Sequence, residues 1–307
     1  MANSQRATIH QTMPALLLLA PKPLAGKTTV AVGLADRMGA AGRGIVLLRL
    51  PGDEAADADG ELLARFGPSI PAPPTPSGPE ITLIEASSGD PNPALDGNPE
   101  ARAIVIGLWQ DPVSALAEFC RPMGDRLIGV IINKTPSKRL NSTRADAEAA
   151  GLKVLAVLPE DRLLAAPVLR DVAGSLSASV EHLNDGGLQP LDRPLIATIS
   201  ADPGQGYFAG YDAKAVIVRS DKPDLQLAAL NAGASCLILT GGLPLLSYVL
   251  DRAQEDEIPL LRTALDTIST INGIEGLFGA LPFAGGDAKI KRITELLADL
   301  DIQSLIE

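Results

Sequence analysis

Lys22, Gly26, Lys27, Thr28 and Thr29 are the residues whose types and spacing best suit a chemical task, and that task is holding phosphate. They lie in Pro21-Lys22-Pro23-Leu24-Ala25-Gly26-Lys27-Thr28-Thr29, between an apolar run at 15–20 and a helically spaced segment at 30–38. Strand, tight loop and helix in that order aim backbone N–H groups and a helix N-terminus at one concavity, which favours an anion. In such a loop Gly26 lets the main chain approach the phosphates, Lys27 reaches their terminal oxygens, and Thr28 offers a hydroxyl to Mg2+. Pro21 and Pro23 stiffen the loop and remove two N–H donors. The competing reading is an ordinary helix start.

The elements that must position this loop follow in alternation. A glycine-rich turn at 39–44 leads to a second buried strand at 45–50. In the acidic stretch 53–61, Asp57 and Asp59 stand where open α/β sheets place ligands, with Asp59 the better magnesium candidate. The alternative is a solvated, acid-rich start to a short helix at 62–66. A proline-rich surface loop spans 68–79, and a strand at 81–84 ends in Glu85-Ala86-Ser87-Ser88-Gly89. A strand at 103–108 precedes a helix at 113–119, with Asp111 suited to its N-cap and Pro112 to its first position. A strong strand at 127–132 ends in Asn133-Lys134. Helix 145–150, strand 153–157 and a turn at 158–161 come next, then an amphipathic segment at 163–183 interrupted at Pro167. Repeated strand–helix alternation predicts a mainly parallel sheet with helices on both faces.

Asn184-Asp185-Gly186-Gly187 with Pro190 marks a domain boundary, giving domains at 13–185 and 191–307. The second, smaller α/β domain has expected strands at 195–200, 215–219, 236–239 and 259–262, and helices at 223–231, 244–254, 267–272 and 290–300. Two strand tips stand out, Ser220-Asp221-Lys222-Pro223-Asp224 and Leu239-Thr240-Gly241-Gly242. Together they form either a crevice with glycine amides open to an anion, or plain helix capping by Asp221 with a glycine turn. Capping accounts for every residue there.

With 307 residues, 46% hydrophobic and 21% charged, the chain has the composition of a globular protein of about two domains. Aromatics are only 3%, so Leu, Ile, Val and Ala must fill the cores. A net charge of -11 argues against nucleic acid and anionic membrane as partners. Cys120 and Cys236 sit in apolar stretches and read as buried reduced thiols. His10 and His182 lack metal-ligand spacing. The leucine run at 16–19 is too short to span a bilayer, and a cytoplasmic location is expected.

The spacing of Lys22 before Gly26-Lys27-Thr28-Thr29 resembles the deviant Walker A loop, K-x-x-x-G-K-T-T, of dethiobiotin-synthetase-like ATPases. That resemblance implies a P-loop NTPase-like fold in which Lys22 contacts nucleotide phosphates, often across a homodimer. The Glu85–Gly89 stretch is similar to E-G-A-G-G of dethiobiotin synthetases, which implies that Glu85 helps hold Mg2+. In related P-loop proteins an Asn placed like Asn133 touches the nucleobase; Pro136 stands where a guanine-specifying acid would be, leaving adenine as the default. Asp221-Lys222 with Thr240-Gly241-Gly242 resembles the DRTGG domain, and the stretch 158–167 resembles the link before it. This pair of domains is the one found at the N-terminus of long phosphate acetyltransferases, and also as a free-standing protein. In those enzymes the region is regulatory, and with the sequence ending at Glu307 acetyl transfer is not expected of this polypeptide.

The resemblance therefore implies a regulatory or sensing protein that binds ATP or ADP with Mg2+. Its DRTGG-like domain would bind a protein partner, a second ligand or its own copy. The alternative is an ATP-dependent ligase that activates a carboxylate, with Arg49 gripping that carboxylate. Arg49 stands where dethiobiotin synthetases carry a catalytic lysine, and it stays charged, which weighs against the ligase.

Overall fold

A computed structural model describes residues 15–50, 81–184, 187–197, 208, 210 and 215–306. Asp57, Asp59 and the expected features at 62–66 and 68–79 lie outside the described residues. The chain divides into two compact units, Met1–Glu160 with Thr294–Glu307, and Asp161–Ile293.

The first unit is built on a six-stranded, wholly parallel sheet in the order β2-β3-β1-β4-β5-β6. Its strands are β1 (Ala15–Leu19), β2 (Ile45–Arg49), β3 (Ile81–Glu85), β4 (Arg102–Leu108), β5 (Leu127–Thr135) and β6 (Val154–Pro159). β1 is central and apolar throughout because both of its faces are covered: Leu16 to Leu19 are at most 1% exposed. Leu17 and Leu19 pack with Val105, Val130 and Ile132 against Leu116, Cys120 and Ala147 of the helices Val113–Cys120 and Leu140–Ala149. The long helix α1 (Lys27–Ala40) buries Val30, Leu34 and Met38 and lies against β1, β2 and β3. Strand order reverses about β1, since the chain runs outward to β2 and β3 on one side and to β4 on the other. The loop after β1 therefore opens at the sheet's topological switch point, where such sheets place ligands.

The C-terminal segment belongs to this unit. Arg37 of α1 donates to the carbonyls of Leu297, Ala298 and Leu300, and the Thr294 hydroxyl donates to Asp36 Oδ2 at 2.9 Å.

The second unit holds a five-stranded sheet, β7-β11-β10-β9-β8. β8 (Pro194–Ile196), β9 (Ala215–Arg219), β10 (Cys236–Thr240) and β11 (Leu260–Arg262) are parallel, and β7 (Ser179–His182) closes one edge antiparallel to β11. The expected amphipathic segment at 163–183 is thus corrected to two short helices, Arg162–Ala165 and Leu169–Ser175, and a strand. The helix ends where Ser177 takes φ 46°, and the edge of β11 then captures residues 179–182. Both sheet faces are covered. Val216, Val218, Leu237 and Leu239 pack with Ala229, Val249 and Ala253, while Ile217, Cys236 and Ile238 pack with Leu169, Val172 and Ile274.

Candidate functional site

The loop after β1 turns into α1 through Gly26, which caps the helix in a left-handed conformation, φ 97° and ψ 27°. A Cβ there would lie 2.3 Å from Asn133 Nδ2, so glycine is needed for backbone and space alike. The helix ladder starts with Val30 N–H donating to Gly26 C=O at 3.0 Å. The amides of the first turn, Lys27 to Thr29, therefore have no carbonyl behind them within the helix. No side chain caps this end and its first turn carries no acid, so the positive end of the helix dipole is not offset by a cap.

Around that end the structure gathers most of the candidates named from the sequence. Lys27 and Thr28 are buried at 6% and 7% exposure. Lys27 Nζ donates to Ser88 Oγ at 2.5 Å, and Thr28 Oγ1 donates to Glu85 Oε1 at 2.9 Å. Thr29 is half-buried on the same turn. Glu85 ends β3, and its main-chain register partner on β2 is Arg49, whose Nη1 reaches the same Oε1 at 3.0 Å. Lys22, with an exposed side chain, pairs with the nearly buried Asp111 at 2.5 Å. Asn133 Nδ2 donates to the Ala25 carbonyl at 2.9 Å while its Oδ1 accepts from Lys134 N–H, so its amide braces the loop from the tip of β5. Lys134 holds φ 57°, and burial pushes its ammonium pKa down, against the pull of Glu160.

Three residues of this cluster were missed or misplaced by sequence reasoning. Ser88 lies within the small-residue stretch after Glu85, but nothing local marks it as the partner of Lys27. Asp111 is not the expected helix cap: Pro112 holds that position, and the Asp111 carboxylate instead accepts from Lys22 and from Leu108 N–H. Arg49, the proposed grip for a substrate carboxylate in the ligase reading, is paired with Glu85.

For Mg2+, the fit lies in the donor set. Thr28 and Glu85 set a hydroxyl and a carboxylate oxygen side by side, hard donors of the kind that ion takes beside phosphate oxygens. Asp59 lies outside the described residues. Among the described residues no group of three or more His, Cys, Asp or Glu side chains gathers to hold a metal.

In the second unit the tips of β9 and β10 are tied together by their own polar groups. Ser220 Oγ donates to Thr240 C=O at 2.8 Å, and the buried Gln226 amide donates to the carbonyls of Arg219 and Ser220. Thr240 and Thr267 hydroxyls meet at 3.0 Å. The amides of Gly241 and Gly242, which could have been open to an anion, donate to the carbonyls of Leu265 and Thr263. That corrects the open-nest reading, because both donors are spent inside the protein. Asp221 does not cap its helix either: Lys222 is the N-cap, and both Asp221 oxygens accept from Arg219. Leu243, Leu246, Tyr248, Leu265 and Ile268 are exposed on the two adjoining loops and the helix starts that follow them.

These features define a two-unit α/β chain, with an uncapped glycine-led helix start at the switch point of one sheet. Residues 171–277 match the family model of the DRTGG domain, so a DRTGG domain is present in the second unit. Among solved structures, the chain is similar to the CBS and DRTGG domains of the regulatory region of Clostridium perfringens pyrophosphatase, complexed with the activator diadenosine tetraphosphate. That likeness has 13% identity and a TM-score of 0.35, and covers 62% of this chain and 84% of that one. It is too loose to carry function. Among the described residues no helix is long and apolar enough to cross a membrane.

Proposed function

We propose that this protein is a nucleotide-sensing regulatory protein in which the loop of the first unit holds the phosphates of ATP or ADP. Lys22, Gly26, Lys27, Thr28 and Thr29 form the phosphate cradle, and Asn133 fixes it from the base side. Mg2+, when bound, would be held by Thr28 and Glu85 and would neutralise phosphate charge. The observation that carries this reading is the start of α1. A left-handed Gly26 opens an uncapped helix end directly onto two buried polar side chains, Lys27 and Thr28. Burying a lysine is costly, and an anion bound at that helix end would help offset the cost. The DRTGG domain, resembling the N-terminal region of long phosphate acetyltransferases, supports regulation over turnover. The homodimer and protein partner belong to the same reading and rest on the resemblance alone.

The test is a thermal-shift titration with ADP and ATP in Mg2+. A ligand at a hundred times its Kd stabilises the folded state by about 2.7 kcal/mol. The wild type should show a rise of that kind and Lys27→Ala should show none. An equal shift in both would remove the loop as the site.

A further inference from the structure

We propose that Arg49 stands in for the divalent cation at Glu85, so that the loop binds a nucleoside di- or triphosphate whether or not metal is present. This rests on the nucleotide reading above and specifies the form of the ligand.

Glu85 is 2% exposed and closes β3 beside the start of α1, where an incoming phosphate would meet it. A buried carboxylate facing an anion repels it unless a cation stands between or beside them. That cation is already built into the protein. Arg49 and Glu85 are register partners on neighbouring parallel strands, and Leu50 N–H donates to Glu85 C=O at 2.8 Å, so the sheet itself fixes their approach. The guanidinium lies 3.0 Å from the oxygen that also accepts from Thr28, and its side chain is 8% exposed. Mg2+ taken up beside Thr28 and Glu85 would share that carboxylate with a guanidinium already on it, so the ion would add little to holding the phosphates. Arginine cannot shed its proton to release the carboxylate. The fixed cation and the mobile one therefore compete for one carboxylate, and the fixed one needs no ordering.

The experiment measures Kd for a fluorescent ADP analogue with Mg2+ and with EDTA, for the wild type, Arg49→Met, Arg49→Lys, Arg49→Met/Glu85→Gln and Lys27→Ala. The wild type should bind equally under both conditions, within about twofold, or 0.4 kcal/mol. Arg49→Met takes the built-in cation away from the carboxylate beside the phosphates and should bind at least about tenfold more weakly in EDTA than in Mg2+. Arg49→Lys keeps the charge, and the double variant removes the carboxylate; both should restore metal independence. A wild type that loses tenfold or more in EDTA overturns the inference while leaving the nucleotide reading standing, and this arm needs no variant to fold. Binding by Arg49→Met that is indifferent to metal also overturns it. No binding by the wild type under either condition, or equal binding by Lys27→Ala, refutes the nucleotide reading itself.

Discussion

Gly26→Ala isolates how tightly the loop between β1 and α1 is built. A non-glycine residue in the left-handed region costs about 1–2 kcal/mol, and φ 97° lies toward the far side of that region. The new methyl would lie 2.3 Å from Asn133 Nδ2, so the amide must swing away and release the Ala25 carbonyl, losing a hydrogen bond worth about 1 kcal/mol. The sum is about 2–3 kcal/mol. With a urea slope of about 1–3 kcal/mol per molar, the unfolding midpoint should fall by about 0.7–3 M. The sole tryptophan, Trp109, sits at the end of β4 with its main-chain N–H donating to the Asn133 carbonyl, and its fluorescence follows the first unit alone. Because part of the cost is the collision, Gly26→Ala with Asn133→Ala should be less destabilised than the two single changes summed. A shift below about 0.5 kcal/mol, or strict additivity in the double variant, would refute this account of the cradle.

Two further outcomes follow from buried groups. Burial pushes the Lys289 ammonium down to about 8, with Asp171 pulling the other way. The folded state thus holds fewer protons than the unfolded one between about pH 8 and 10.4, and stability rises with pH across that window. Between pH 7.5 and 9.5 the wild type should gain about 2 kcal/mol relative to Lys289→Met in urea unfolding followed by circular dichroism; a constant difference would show that Lys289 is not titrating there. Burial also raises both thiols, Cys120 to about 11 and Cys236 higher still, so neither should react with a thiol reagent at pH 8 until urea unfolds the protein. Rapid labelling of the native state would contradict that.

Local patterns carried much of the fold. The apolar run of β1 and the helical spacing of α1 are periodic, and periodicity depends only on neighbours in sequence. The same holds for β9, where an apolar run leads directly into the helix Pro223–Asn231. What stayed hidden was decided by distant pairing. Asp111 has the residue type and position of a cap, yet Lys22, 89 positions earlier, draws it to the loop. Residues 179–182 become a strand because the edge of β11 captures them, a choice no local propensity records. Gly241 and Gly242 have the composition of an anion nest, but the neighbouring β11 loop consumes their donors. Lys27, Thr28 and Glu85 stood out by type alone; that Arg49 shares Glu85 with Thr28 follows only from the register of β2 on β3.

The grip of Arg37 on the carbonyls of Leu297, Ala298 and Leu300 bears on how the gene product can be cut. The stretch Asp161–Ile293 is inserted within the first unit, which is finished only when Thr294–Glu307 arrives. A clone stopping at residue 160 would therefore leave the Arg37 guanidinium without those carbonyls and the unit without the buried Leu297 and Leu305, and should be insoluble. On the ribosome the first unit must wait, incomplete, until its lodger has been made.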